Sequence, residues 1–132
     1  MKRTKKKRNI LVDMSATLIH HGHIRLLKKA SKYGKVILAL TTDKEIKKYK
    51  KITPELNYNQ RKEILLSIKY IHKVIPSKYI IENKFLKKNN IDFVVNGHDY
   101  KDRKLDVKSI AFKRTKNISS TLIRIKAKKK LK

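Results

Sequence analysis

Residues 33–40, YGKVILAL, decide the fold. Val36 to Leu40 is an unbroken apolar run, the pattern of a strand covered on both faces in a parallel sheet. Gly34, just before it, sits where the C-cap of a preceding helix belongs. Upstream, His21 to Tyr33 places Ile24, Leu27 and Ala30 on one stripe at helical spacing, with Leu26 and Tyr33 alongside. Upstream again, Asn9 to Met14 (NILVDM) reads as a short buried strand. The centre of the chain is therefore strand, helix, strand.

Downstream the alternation continues. Asp43 to Lys51 is a charged short helix or loop that Pro54 breaks. Asn59 to Tyr70 carries Ile64, Leu65 and Ile68 and reads as a helix. Lys73 to Ile75 is a short strand closed by Pro76, and Ile80 to Asn89 a helix ending on an Asn-Asn cap. Phe93 to Asn96 is a strand, Ser109 to Phe112 a weak one, and Ser119 to Lys129 a last helix. This order predicts a single-domain α/β fold with a mostly parallel sheet flanked by helices. The expected division is a basic arm over 1–8, the domain over 9–126 and a basic tail over 127–132.

Composition narrows the function classes. The 132 residues suit one domain, with 39% hydrophobic residues to build a modest core. Nothing approaches the ~18 consecutive apolar residues of a membrane span, and MKRTKKKRNILVDM lacks the apolar stretch of a secretory leader. Cysteine is absent, which excludes disulfides, thiolate metal sites and cysteine nucleophiles, and fits a cytoplasmic setting. The formal charge is +27, and 30 of the 37 basic residues are lysine, spread along the chain and densest at its ends. Nucleic-acid readers favour arginine interleaved with aromatics, so nucleic acid is expected only as a non-specific partner held by charge. A phosphate-rich small substrate would be steered by the same field.

Three of the five histidines fall within LIHHGHIRLLKKA, residues 18–30, at the start of the first helix. A helix N-terminus offers unpaired N–H groups and partial positive charge. Gly22 there permits close approach, and His20 and His23 can donate hydrogen bonds to phosphate oxygens. Metal ligation, which would need further ligands although the other histidines are distant in sequence, and plain core or surface histidines are the alternative readings, and no residue is assigned to a metal. Other segments have plain structural readings. Ser119-Ser120-Thr121 can be an N-cap cluster, Gly97-His98-Asp99 a turn, Lys47 to Lys51 a solvated charge run, and Asp13 a buried hydrogen-bonded group.

Taken in order, these segments resemble a known family. His20-His21-Gly22-His23 matches the HxGH signature of the nucleotidyltransferase superfamily, which has a Rossmann-like fold. Arg114 to Thr121 (RTKNISST) is similar to the RTxGISTT segment of its cytidylyltransferase branch, Gly97 to Tyr100 to GDDW, and Asn59 to Lys62 to the start of EQRKxIL. The resemblance runs from about Ile10 to about Arg124 and is closest to enzymes acting on glycerol 3-phosphate or 2-aminoethylphosphonate.

It implies transfer of CMP from CTP to a small phosphate or phosphonate acceptor, with Mg2+ carried mainly by the triphosphate. It implies that His20, His23, Lys50 and Arg114 act on the phosphates, with Lys48 or Lys51 as substitutes for Lys50. Ser15, Ala16, Gly22, Gly97, Asp99, Ile118, Ser119, Ser120 and Thr121 would bind nucleotide, and Arg61 would anchor its helix or reach the acceptor alongside Lys50. It also implies a homodimer with an interface near the histidine helix. Rival readings are an adenylyltransferase of the same superfamily and a non-catalytic basic nucleic-acid-binding domain. Departures from the family pattern are Met14 for Gly, Thr17 for Asp, His98 for Asp, Tyr100 for Trp, and Asn117 for Gly. Asn117 tolerates the left-handed backbone that a glycine there would supply.

Overall fold

A computed structural model describes residues 7–96 and 104–131. Its strands are β1 (Asn9–Met14), β2 (Lys35–Thr41), β3 (Lys73–Ser77), β4 (Phe93–Asn96) and β5 (Lys108–Ala111). Its helices are α1 (His21–Ser31), α2 (Asp43–Lys50), α3 (Tyr58–Leu66), α4 (Asn83–Lys88) and α5 (Ser120–Lys130). The strands form one sheet in the order β3-β2-β1-β4-β5, with every pairing parallel.

The alternation of side chains along each strand explains why the apolar runs are continuous. Ile10, Val12, Val36, Leu38, Leu40, Val74 and Val95 face a core closed by Leu27 and Ala30 of α1 and Leu65 of α3. Leu11, Ile37, Ala39, Ile75 and Val94 face the opposite core, closed by Leu86 of α4 with Ile81 and Ile91. Both faces of β2 are thus covered, as its sequence predicts.

Several boundaries differ from expectation. The 43–50 segment is a helix, capped by the Thr42 hydroxyl and anchored by the fully buried Ile46. Helix α3 stops at Leu66 because the Ser67 hydroxyl takes the Ile64 carbonyl, and a short turn leads to β3. The predicted cap at Gly34 is instead made at Lys32. Gly34 serves a close approach, since a Cβ there would lie 2.2 Å from the Arg8 carbonyl oxygen. The basic tail assigned from 127 continues α5 as far as Lys130. No helix among the described residues is long and apolar enough to cross a membrane.

Strand β1 is central. From it the chain builds outward through β2 and β3, then returns to its other side for β4 and β5. The carboxyl ends of β1 and β4 therefore flank the point where the winding reverses, the usual ligand position in open α/β sheets.

Candidate active site

The three clustered histidines have unequal roles. His20 is the N-cap of α1 in an extended conformation, and His23 is its third helical residue. The Gly22 N–H donates to His20 Nδ1 at 3.1 Å, and the His20 N–H donates to His23 Nδ1 at 3.1 Å. This is a capping box built from two imidazoles in place of Ser/Thr and Glu. An Nδ1 that accepts carries no proton, so each ring is neutral with its proton on Nε2, and Nε2–H is the donor left to offer. Burial supports the neutral form. The His23 pKa is pushed down to about 3 by desolvation, then by His20 and Lys50. That of His20 is lowered by burial and by His21. The two rings lie 3.9 Å apart between centroids.

Gly22 is needed for this geometry. A Cβ there would come within 2.9 Å of His20 Cε1 and 3.3 Å of Ile118 Cγ2. On the side where a side chain would project, the His20 ring and Ile118 pack against Gly22.

A second helix start meets the first. The Ser119 hydroxyl caps α5 by accepting from the Leu122 N–H at 3.0 Å. The Ser120 hydroxyl donates to the Leu18 carbonyl at 2.9 Å and accepts from the Leu18 N–H at 3.1 Å. Ser120 thus ties α5 to the loop two residues before His20. Asn117 turns the chain into this start with φ 64°, the left-handed conformation expected of it. Thr121 is exposed in the first turn. Two helix N-termini, each with partial positive charge, are held together here.

The loop after β1 is fixed from beneath by Arg61. Its guanidinium is fully buried and donates to the carbonyls of Leu56, Ser15 and Thr41 and to Asp43 Oδ1, the last at 2.6 Å. Of its two expected roles Arg61 has the anchoring one. A direct contact with the acceptor does not fit a guanidinium that is 0% exposed and hydrogen-bonded to the protein's own backbone and to Asp43. Ser15 presents its carbonyl to this anchor, and Ala16 is buried with φ 45°, a left-handed position unusual for alanine. Thr17, which replaces the family's Asp, is 1% exposed, and its buried hydroxyl has no hydrogen-bond partner.

Lys50, the last residue of α2, joins the cluster. Its ammonium pKa is lowered by desolvation and by the charges of Arg124 and Arg114, although the residue as a whole is exposed. Lys50 in turn acts on His23. Of the alternatives, Lys51 is the left-handed C-cap of α2, and the Lys48 ammonium lies over the Tyr49 ring. Arg124 was not anticipated from the sequence. It donates through Nε and Nη2 to both carboxylate oxygens of Glu55, each at 2.5 Å. This bond lowers the Glu55 pKa and raises that of Arg124. The only sequence signal was Arg124 itself, one of seven arginines, five residues beyond the Ser119 cap. Gly97 and Asp99 lie outside the described residues.

Hollows lie elsewhere. One cavity of 440 Å³ opens beside β3, lined by residues such as Pro76, Lys78 and Phe85. Another of 330 Å³ lies near Lys35 and His72. Lysines line both hollows, but neither includes His20, His23, Lys50 or the first turn of α5.

A family profile described as cytidylyltransferase-like matches residues 15–126. The chain belongs to that family. It is a nucleotidyltransferase of the cytidylyltransferase type. It is 38% identical over 113 residues to glycerol-3-phosphate cytidylyltransferase of Staphylococcus aureus, covering 81% of this chain and 85% of that one. It is 35% identical to the enzyme of the same name from Bacillus subtilis, covering 81% of this chain and 87% of that one. A probable ethanolamine-phosphate cytidylyltransferase of Encephalitozoon cuniculi is 29% identical over 77% of this chain and 32% of its own length. A lipopolysaccharide core biosynthesis protein from Thermoplasma volcanium shares the fold, with TM-score 0.72 at 16% identity over 83% of this chain and 98% of its own. The Rossmann-like fold and the cytidylyltransferase branch expected from the sequence are both borne out.

Proposed function

We propose that this cytidylyltransferase-family member transfers CMP from CTP to a small phosphate or phosphonate acceptor of the glycerol 3-phosphate or 2-aminoethylphosphonate type. The observation that carries this reading is the junction of two helix starts, where His20 and His23 are locked as neutral Nε2–H donors beside Lys50. An acceptor oxygen attacks the α-phosphorus, the bond to the oxygen bridging the β-phosphorus breaks, and pyrophosphate leaves with that oxygen. No protein nucleophile is required. The protein's task is to align the groups and to stabilise the charge that builds on the phosphates.

His20 and His23 donate to the triphosphate as charge develops, needing no reorganisation because the cap already fixes them. Lys50 bridges the α-phosphate and the acceptor. Arg114 holds the outer phosphates, and the first turn of α5 at Ser119, Ser120 and Thr121 supplies backbone N–H groups to them. The Ser15-Ala16 backbone, Gly22 and Ile118 contact the nucleotide, and Gly97 and Asp99 are assigned to it as well. Mg2+ would ride on the triphosphate oxygens and neutralise part of their charge. No cluster of three or more His, Cys, Asp or Glu among the described residues fits a resident metal, so no step is assigned to one. We expect a cytoplasmic homodimer, with +27 per chain opposing association at low salt. Sedimentation at two ionic strengths measures that balance.

The test is pyrophosphate release with magnesium, CTP or ATP, and glycerol 3-phosphate, 2-aminoethylphosphonate, phosphocholine or phosphoethanolamine. Acceptor-dependent release from CTP is the expected result. Release from ATP alone would make the chain an adenylyltransferase. Steeply salt-dependent nucleic-acid binding without nucleotide turnover would replace the enzyme reading altogether.

A further inference from the structure

We propose that Glu55 and Arg124 form a clasp that holds the connector between α2 and α3 against α5 and thereby positions Lys50. The proposal rests on the reading of Lys50 given above. The connector, residues 51–57, runs from the end of α2 at Lys50 to the N-cap of α3 at Asn57. Its far end is secured to the interior, where Arg61 Nε holds the Leu56 carbonyl at 3.1 Å. Its near end carries Lys50 and leaves α2 through a left-handed Lys51. Between these points Glu55 takes both arms of the Arg124 fork. Arg124 lies one turn beyond Ser120, so it shares the face of α5 that Ser120 ties to the loop before His20. The clasp thus couples the Lys50 segment to the histidine helix start across 69 residues of sequence.

Charge gives the clasp a second use. Arg124 and Arg114 both act on Lys50, so like charges are gathered at one place before any phosphate arrives. The Glu55 carboxylate is the counter-ion that tethers one of them. Without it, repulsion favours moving Lys50 and its connector away from α5. Because Glu55 and Arg124 side chains are 46% and 26% exposed, the pair adds little to global stability. Its loss is therefore read in geometry rather than in unfolding.

The test compares wild type, Glu55→Gln, the swap Glu55→Arg with Arg124→Glu, and Lys50→Ala. Amide hydrogen exchange is measured over 51–57, and pyrophosphate release is measured with CTP and glycerol 3-phosphate. Glu55→Gln should speed exchange over 51–57 several-fold with little change in Tm. It should lower kcat about tenfold, the scale of a small misplacement, without raising the KM for CTP. The swap should restore both. Unchanged exchange in Glu55→Gln overturns the clasp. Faster exchange with wild-type kcat shows that the connector does not position Lys50. A swap that restores exchange but not kcat makes Arg124 a direct substrate contact instead. Wild-type turnover in Lys50→Ala would defeat the reading of Lys50 itself, separately from the clasp, which the exchange measurement tests without turnover.

Discussion

Helices α1 and α5 both point their N-termini at the same place, but they are held there by different forces. Helix α1 buries Leu27 and Ala30 completely in the core beneath the sheet. Helix α5 buries no residue at all, and Leu122 and Ile125 are 40% and 45% exposed. Its known attachments are polar: Ser120 to Leu18, Arg124 to Glu55, and the turn at Asn117. Apolar burial is non-directional and survives salt, whereas hydrogen bonds and exposed ion pairs are directional and individually weak. One wall of the site is therefore fixed by packing, and the facing wall is adjustable.

The largest effect that tests this contrast is a core truncation. Leu27→Ala should cost about 2–5 kcal/mol in urea unfolding, while Ile125→Ala on α5 should cost under about 0.5 kcal/mol. A similar loss at both positions would mean that α5 is packed as firmly as α1. Next comes chemistry on the fixed wall. His23→Ala should lower kcat for pyrophosphate release by about 10²–10³, the scale of losing one transition-state donor. Wild-type turnover would remove His23 from the site.

Acid sharpens the same wall. Because the His23 pKa is near 3 when folded and ordinary when unfolded, the unfolded chain binds the extra proton below about pH 6.5. Stability should fall as the pH drops from 6.5 towards 3, by up to about 2 kcal/mol between pH 8 and pH 5. His23→Gln should flatten that fall, as followed by urea midpoints at each pH. On the adjustable wall, Ser120→Ala should cost about 1 kcal/mol or somewhat more, and the loss should show as faster amide exchange in α5 with α1 unchanged. The smallest effect belongs to Asn117. Its replacement by Gly should leave stability within about 0.5 kcal/mol and keep turnover, while Val at that left-handed position should cost about 1–2 kcal/mol.

Legibility in the sequence followed the range of the forces. The run at Val36–Leu40 was readable because burial on both faces leaves no polar position in a strand. The capping serines, the Asn89-Asn90 helix end and the left-handed Asn117 were readable because they depend on near neighbours. The histidine cluster announced a helix start that could hold phosphate, but the reciprocal cap that fixes both tautomers was not foreseen. A capping box is ordinarily recognised by Ser or Thr followed by Glu or Gln. Arg61 was legible as an important residue and ambiguous in direction, since an identical motif serves either to anchor a loop or to face a ligand. Glu55 and Arg124 left no usable trace, because nothing local marks one ion pair among 37 basic and ten acidic residues.

By itself, then, the sequence determined the alternating α/β order, the parallel sheet, the position of the histidine-bearing helix start and the family that shares its motifs. Each of these is written in spacing of a few residues, over which backbone periodicity and capping operate. Only the tertiary structure decided that Arg61 faces inward, that Lys50 rather than its neighbours joins the histidines, and that α5 is held by Ser120 and Arg124. Those outcomes depend on which distant segments the sheet brings within hydrogen-bonding distance, and a hydrogen bond or ion pair spanning 69 or 102 residues has no period to read.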